Sequence, residues 1–369
     1  MIDRDELAAW LRLLETPGIG RETARRLLAA FGGPQSVFEA GRTAQREVVG
    51  ASLADTLVAP PNGFDLLLKN TLDWLAAAED DATRGVLTLG DAAYPPLLLA
   101  SADPPLLLYT IGLQHLLAAR SVAVVGSRNP TPQGIDNARA FSAHLSRAGL
   151  AIVSGLALGI DGAAHEGGLD GDGSTIAVVG TGLDRVYPAR HRALAQRIAR
   201  DGVIVSEYAL GMPALAQNFP ARNRLLAGLS LGTLVVEAAL QSGSLITARL
   251  AAEAGRDVFA IPGSIHSPQS RGCHALIKQG AKLVDGARDI LDELRLDAAP
   301  PASIGVDCGS GVVDDPLLDA LGYDPVSLDA LIARTGRSAG DLGARLLELE
   351  LDGQVRRLPG QLFQRRASA

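Results

Sequence analysis

Between Ser121 and Gly286 one pattern recurs seven times: a short apolar run, rich in β-branched residues, that mostly stops at a glycine or a small polar residue. The runs are "SVAVVG", "LAIVSG", "TIAVVG", "VIVSEY", "TLVVEA", "VFAIPG" and "AKLVDG", with stretches of helical spacing between them. Each run is apolar on both faces, as a strand buried between two helix layers must be. Strands that alternate with helices need crossover connections, and those are right-handed. The expected fold class is therefore α/β, a Rossmann-like, doubly wound and mostly parallel sheet.

The flanks read differently. Up to about residue 64 the pattern is helical, and "ELAAWLRLLETPGIGRETARRLLAAFGG" places two amphipathic helices around the turn Pro17 to Gly20. That plan resembles a helix–hairpin–helix module, whose turn amides can meet a phosphate; a plain helical packing module needs the same glycines. The α/β section then spans 65–296, with a proline-punctuated lead-in, "YPPLLLASADPPLLLYTIG". A Pro, Gly, Ser and Ala-rich linker is expected at 297–311. Residues 312–369 read as helix, turn, helix and hairpin, a winged-helix plan.

Composition narrows the class. A 369-residue chain, 47% hydrophobic and 20% charged, has the balance of a well-cored globular protein. No apolar run reaches the roughly 18 residues of a membrane span. The acidic start "MIDRDELAAW" lacks the basic and apolar regions of a signal peptide, and two cysteines, Cys273 and Cys308, are too few for a disulfide framework or zinc site. A cytoplasmic location is expected. The net charge of −7 hides an asymmetry: Ser121 to Ile290 holds 16 basic against 13 acidic residues, and the remainder 18 against 28. The middle of the chain therefore permits an anionic partner.

Ligands of such sheets bind outside the carboxyl ends of the strands. The residues there are Gly126, Ser127 and Arg128 after the first run, Gly155, Gly159 and Asp161 after the second, and Gly180 and Gly182 after the third. Nucleotide cofactors fit poorly, and none is expected. No G-x-x-x-x-G-K-[ST] stretch exists; "GTGLDR" carries Arg185 where a dinucleotide fingerprint has its third glycine; and no acidic residue closes the second strand to hold a ribose. In "VVGSRNPTPQG", by contrast, Gly126 allows close approach, Ser127 offers a hydroxyl, and a helix starting near Thr131 aims its free amides at the same spot. Arg128 adds a permanently charged fork suited to a backbone phosphate. An ordinary strand–helix turn would use the same glycine. "NFPARNRLLAGLS" places Phe219 beside Arg222, Asn223 and Arg224 at a helix start, which joins base stacking to phosphate contact; Phe219 as a core aromatic and Asn223 as a brace are the alternatives.

Catalysis gains little. No Ser–His–acid set is recognisable and the histidines lack metal-ligand spacing, so no metal is expected. Asp161 and His165 stand at i, i+4 and read as a capping and packing pair. Glu237 is a carboxylate at a strand end, either a base or the anchor of a neighbouring loop, and the second reading is favoured.

Taken in order, "VVGSRNPTPQG", "SGLALGIDGAAH", "GTGLDRVYP", "NFPARNRLLAGLS", "QSGSLITARLAAEAGRDVFAIPG" and "GCHALIKQGAKLV" resemble the bacterial DNA-processing protein A family, DprA or Smf. The likeness covers nearly the whole middle section and includes the lead-in. The N-terminal part is similar to the SAM-like helical domain, and the C-terminal part to the winged helix, of extended members. The resemblance implies a non-enzymatic protein of natural transformation and recombination. Such a protein binds and protects single-stranded DNA, loads a RecA-type recombinase, and forms a homodimer through the Rossmann-like domain, with no membrane partner. It assigns DNA contact to Gly126, Ser127 and Arg128, to Phe219, Arg222, Asn223 and Arg224, to Ser242, Gly243 and Ser244, and to Lys278. Where some members carry lysines, this chain has Arg190, which keeps the charge, and Gln217 or Asn218, which does not.

The second helix of the expected winged helix, about Ala339 to Leu351, carries Asp341, Glu348 and Glu350 against only Arg345, a poor surface for duplex DNA. Arg356, Arg357, Arg365 and Arg366 gather in the wing instead, which points to protein contact or an auxiliary strand contact. From another class, a nucleotide phosphoribohydrolase of the lysine-decarboxylase-like group shares the G-S-R turn and an echo of "LGTLVVE" through Gly232, Thr233 and Glu237. That alternative leaves "FPARNR" unexplained.

Overall fold

The computed structural model describes residues 2–77, 82–296, 315–323 and 325–366. The chain divides into two compact units, Met1–Asp297 and Ala298–Ala369, each taken by itself. The expected linker 297–311, and Cys308 with it, lies outside the described residues.

Six helices open the first unit: α1 (Arg4–Glu15), α2 (Arg21–Phe31), α3 (Pro34–Glu39), α4 (Gly41–Val49), α5 (Ala51–Thr56) and α6 (Phe64–Ala76). Asp3 starts α1 by accepting from the Asp5 amide at 2.9 Å, and Leu7, Trp10 and Leu11 form its buried face. In the α1–α2 hairpin the Ile19 amide donates to Thr16 at 3.1 Å and Ile19 is buried, which gives the turn a packing role. The helical section runs past residue 64, because α6 carries Trp74 edge-on against Tyr109, with ring centres 6.0 Å apart. Leucines of α1 and α2 share one core with the lead-in and the sheet.

A strand the sequence did not suggest, β1 (Arg84–Thr88), precedes the lead-in, which forms the short α7 (Pro96–Leu99) and β2 (Leu107–Gly112). Then come β3 (Ser121–Val125), α8 (Pro132–Arg147), β4 (Ala151–Ser154), α9 (Ile160–Gly168), β5 (Thr175–Val178), α10 (Arg192–Asp201) and β6 (Val203–Ser206). The chain continues through α11 (Asn218–Leu229), β7 (Gly232–Val235), α12 (Ser244–Glu253), β8 (Asp257–Ala260), α13 (Arg271–Lys278), β9 (Lys282–Leu283) and α14 (Ala287–Glu293). All seven expected strands form, in one nine-stranded sheet of order β1-β2-β6-β5-β4-β3-β7-β8-β9. The strands from β3 to β9 run parallel, while β2 joins β6 antiparallel and pairs with β1. β2 of the lead-in and β1 before it thus supply a two-strand edge.

Central β3 pairs with β4 on one side and β7 on the other, so the strand order reverses there. Val122 and Val124 pack against one helix layer, and Ala123 and Val125 against the other, which is why the run is apolar throughout. The second unit holds α15 (Pro316–Leu321), β10 (Val326–Ser327), α16 (Leu328–Thr335), α17 (Ala339–Leu351), β11 (Val355–Leu358) and β12 (Leu362–Arg365). Its sheet order is β10-β12-β11 and its core includes Leu318, Leu331, Leu346 and Phe363, a winged helix.

Candidate nucleic-acid interface

A cavity of about 460 Å³ opens at the carboxyl ends of β3 and β7, where the strand order reverses. Such a reversal leaves a crevice between loops that lead away in opposite directions. Ten of the expected residues line it together: Gly126, Ser127, Arg128, Asp161, Phe219, Arg222, Asn223, Ser242, Gly243 and Ser244.

The β3–α8 loop is fixed by its neighbours. Thr131 caps α8 by accepting from the Gly134 amide at 3.0 Å, and its own amide donates to Glu237 at 2.9 Å. Its hydroxyl donates to Glu237 as well. Burial raises the Glu237 carboxyl above its ordinary value, against the pull of the two Thr131 bonds. Glu237 is thus the anchor of a loop, as favoured from the sequence, and is not among the cavity-lining residues. Gly126 also has a packing role. A Cβ there would meet Ile160 at 2.7 Å, so the missing side chain lets α9 pack against the loop, while Gly126 still lines the cavity. Gly159, at φ +84°, closes the same contact, because a Cβ on it would strike the Ser127 carbonyl.

Arg128 is exposed at the mouth and makes no ion pair among the described residues; its guanidinium lies 5.7 Å from the Phe219 ring centre. Phe219 in turn packs on Tyr187, with centroids 5.5 Å apart. Tyr187 is 52% exposed, so the three side chains make a guanidinium–aromatic–aromatic row that leads from the mouth away from the cavity. In the sequence Tyr187 is a lone aromatic within "GTGLDRVYP" and carries no signal of such a role. Gln269, whose amide donates to the Asn129 carbonyl at 3.1 Å, and Thr247 also line the cavity and lie in no basic or glycine-rich stretch.

The floor is polar and buried. Arg222, only 4% exposed, donates from Nη1 to the Gly155 carbonyl at 2.8 Å and to Val178, and from Nε to Asn223 at 3.1 Å. Asn223 passes the brace on to the Gly243 carbonyl at 3.3 Å. Asp161, 7% exposed, accepts the Gly155 and Ala157 amides through Oδ2 at 3.1 and 3.3 Å. Burial pushes the Asp161 carboxyl up, opposed by the Arg222 charge, and lowers Arg222 itself. His165 accepts the Leu156 amide at 3.2 Å through Nε2. Its Nδ1 faces Thr175, whose hydroxyl is spent on Ile152, so Nδ1 carries the proton. Burial lowers this imidazole to about 3, and the packing reading of the Asp161–His165 pair stands.

Arg224, Arg190 and Lys278 fall outside the cavity. Arg222 and Arg224 are two residues apart on α11, about 200° around the helix, so only one can face the site. Arg224 turns away to Glu207 and Asp103, where Arg21 and Arg25 also converge. Burial raises the Asp103 carboxyl, but these arginines outweigh it and hold it below the usual range. Its expected DNA contact is therefore replaced by a structural junction with α2 and the lead-in. Arg190 is exposed on the turn Ala189–His191, and Lys278 ends α13, about 10 Å along the helix from the cavity-side start. Gly180 accepts from the Asn218 side chain at 3.1 Å and lies against the Phe219 ring, whereas the Gly182 amide donates to Met212 at 3.0 Å and its Cα faces Asp184 and Ala209.

The family model described as DNA recombination-mediator protein A matches residues 85–295, the sheet that carries this cavity. The chain belongs to the DprA/Smf family. The DprA winged helix domain matches residues 298–361. Protein Smf of Escherichia coli K12 is 42% identical over 301 residues, covering 79% of each chain. The X-ray structure of DprA from Streptococcus pneumoniae superposes with a TM-score of 0.61 at 38% identity, over 79% of this chain and 98% of that one. DNA processing protein A from Helicobacter pylori, described for its single-stranded DNA binding mode, gives 0.53 at 32% identity over 58% and 97%. Among the described residues of this DprA/Smf member no helix is long and apolar enough to cross a membrane, and no group of side chains could hold a metal ion.

Proposed function

We propose that this chain binds single-stranded DNA, with the Arg128–Phe219–Tyr187 row as its platform. That row carries the reading: a guanidinium without an ion pair among the described residues, beside two aromatic rings in tilted contact, offers a strand one phosphate contact and aromatic surface for bases. A duplex keeps its bases stacked inside and cannot use that surface. The single-strand binding described for the Helicobacter pylori relative supports the reading. In this proposal the protein works without catalysis in natural transformation and recombination. It shields incoming strands and delivers them to a RecA-type recombinase as a cytoplasmic homodimer. A phosphoribohydrolase role is disfavoured because Glu237, the candidate base, is spent on Thr131.

The winged helix is proposed to contact protein. The exposed face of α17 carries Asp341, Glu348 and Glu350, and its one arginine, Arg345, is held by Asp315 and Glu348. The test of the main reading is a salt-titrated binding assay with oligo-dT and with duplex of equal length. Oligo-dT is expected to bind more tightly at every salt concentration; preference for duplex would overturn the proposal.

A further inference from the structure

The loop that carries Arg128 is tied down on both sides of it. Before it, the Ser127 carbonyl accepts the Ile160 amide at 3.1 Å, and the Ser127 hydroxyl accepts the Asn129 amide at 3.1 Å. After it, the Asn129 carbonyl accepts from the Gln269 side chain at 3.1 Å. Thr131 gives its amide, at 2.9 Å, and its hydroxyl to Glu237. Arg128 makes no hydrogen bond or ion pair of its own among the described residues. The two anchors after it come from the other half of the sheet, Glu237 just past β7 and Gln269 just before α13. Their backbones are joined: the Ala238 amide donates to the Gln269 carbonyl at 2.7 Å, and the Gly272 amide to the Ala238 carbonyl at 2.7 Å. The same block seats the first turn of α8, where a Cβ on Gly134 would come within 2.5 Å of the Glu237 carboxylate. Binding a phosphate through a long side chain costs conformational freedom, and a loose backbone beneath it adds to that cost. Here the backbone is ordered in advance, and only the side chain remains to be fixed.

We infer that Glu237 and Gln269 are positioning residues for strand binding, acting through Arg128 by holding its loop from the other half of the sheet. A carboxylate repels a phosphate, so Glu237 can favour binding only through the loop it holds. Gln269 lines the cavity, yet its side-chain amide is engaged with Asn129, next in the chain to Arg128. Strand affinity therefore depends on a joint between the β3–α8 loop and the exit of β7, as well as on the groups that meet DNA. This inference rests on the strand-binding reading and names two residues through which that site is set.

The test is a double-mutant cycle on the full chain, read as the Kd for labelled oligo-dT at one salt concentration, with a thermal melt confirming each fold. Gln269→Ala is expected to raise Kd about fivefold in the parent, the cost of ordering one more mobile segment. In the Arg128→Ala background it is expected to change Kd by no more than about 1.5-fold, because no guanidinium remains to be positioned. Glu237→Ala should follow the same pattern. Glu237→Gln should restore parental affinity, since its carboxamide accepts from the Thr131 amide and donates to the hydroxyl. A direct DNA contact by Gln269, or a general loss of structure, would instead multiply with the Arg128→Ala effect, and that result overturns the inference. Parental affinity in Gln269→Ala also overturns it, and this partly exposed position carries the test if Glu237→Ala fails to fold. Tight oligo-dT binding with either of those results leaves the strand reading standing. No oligo-dT binding by the unaltered protein overturns the strand reading and this inference with it.

Discussion

Replacing Arg128 by alanine isolates the fixed charge of the proposed DNA site. The side chain is exposed and unpaired among the described residues, so its removal exposes no buried partner and leaves the fold intact. What is lost is one charge-assisted phosphate contact, about 1.5 kcal/mol at the exposed end of the range for hydrogen bonds to charged groups. That corresponds to roughly a tenfold rise in Kd at low salt. Losing one phosphate also lowers the slope of log K against log salt by about 0.7 for a single strand. A fourfold rise in salt should then shrink the gap between variant and parent by about 2.6-fold. Fluorescence anisotropy with labelled oligo-dT over a salt series reads both numbers. Arg128→Lys is the control: it keeps the charge and the slope but loses the planar fork over Phe219, so only affinity falls. Parental affinity and slope in Arg128→Ala would refute the assignment, and so would a lysine variant as weak in slope as the alanine one.

Phe219→Leu should raise the Kd for oligo-dT about tenfold through lost stacking, within the roughly 1–3 kcal/mol range per base, with an unchanged salt slope in the same assay. Arg224→Ala should leave that Kd alone yet cost about 2 kcal/mol of stability in a urea melt. It strips Glu207 of its main partner, with Arg21 still 3.8 Å away as partial compensation. His165 has a folded pKa depressed from 6.5 to about 3, so its contribution is complete above pH 6.5 and is lost as the pH falls toward 3. Between pH 7 and 5 that amounts to about 2 kcal/mol, and urea melts of His165→Gln should show a flatter acid limb. A chain ending at Asp297 keeps the whole first unit and its cores, and should bind oligo-dT within about threefold of the full chain, a span of roughly 0.65 kcal/mol.

The strands of the sheet were legible because each lies between two helix layers, which forces apolar residues on both faces and ends each run where the chain must turn. The cavity was legible where turn chemistry and charge coincide, at Gly126 to Arg128 and in "FPARNR". The divergence of Arg222 and Arg224 was in principle readable as well: positions i and i+2 on a helix cannot share a face, whereas Phe219, Arg222 and Asn223 can. The acceptors that claim Arg224, Asp103 and Glu207, come from segments far apart in sequence, and only the folded chain brings them together. Tyr187 was hidden for another reason. A lone tyrosine in a loop carries no periodicity, and its role arises from a ring contact with a residue thirty-two positions later.

The same pairings explain how a chain of net charge −7 can hold a polyanion. Arg21, Arg25 and Arg224 are neutralised at the junction by Asp103 and Glu207, and Arg345 is held within the winged helix. Arg128, without an ion pair among the described residues, stands at the mouth of a cavity whose floor holds Arg222 and Asp161. At physiological salt charges act over about 8 Å, so a strand at the rim senses these residues and little of the acidic remainder. Beyond that distance the net negative charge gives no steering toward the site. Association should therefore vary little with salt, and the salt dependence of affinity should fall on the dissociation rate. Stopped-flow measurement of both rates separates this arrangement from a basic-patch protein, whose association rate falls steeply with salt.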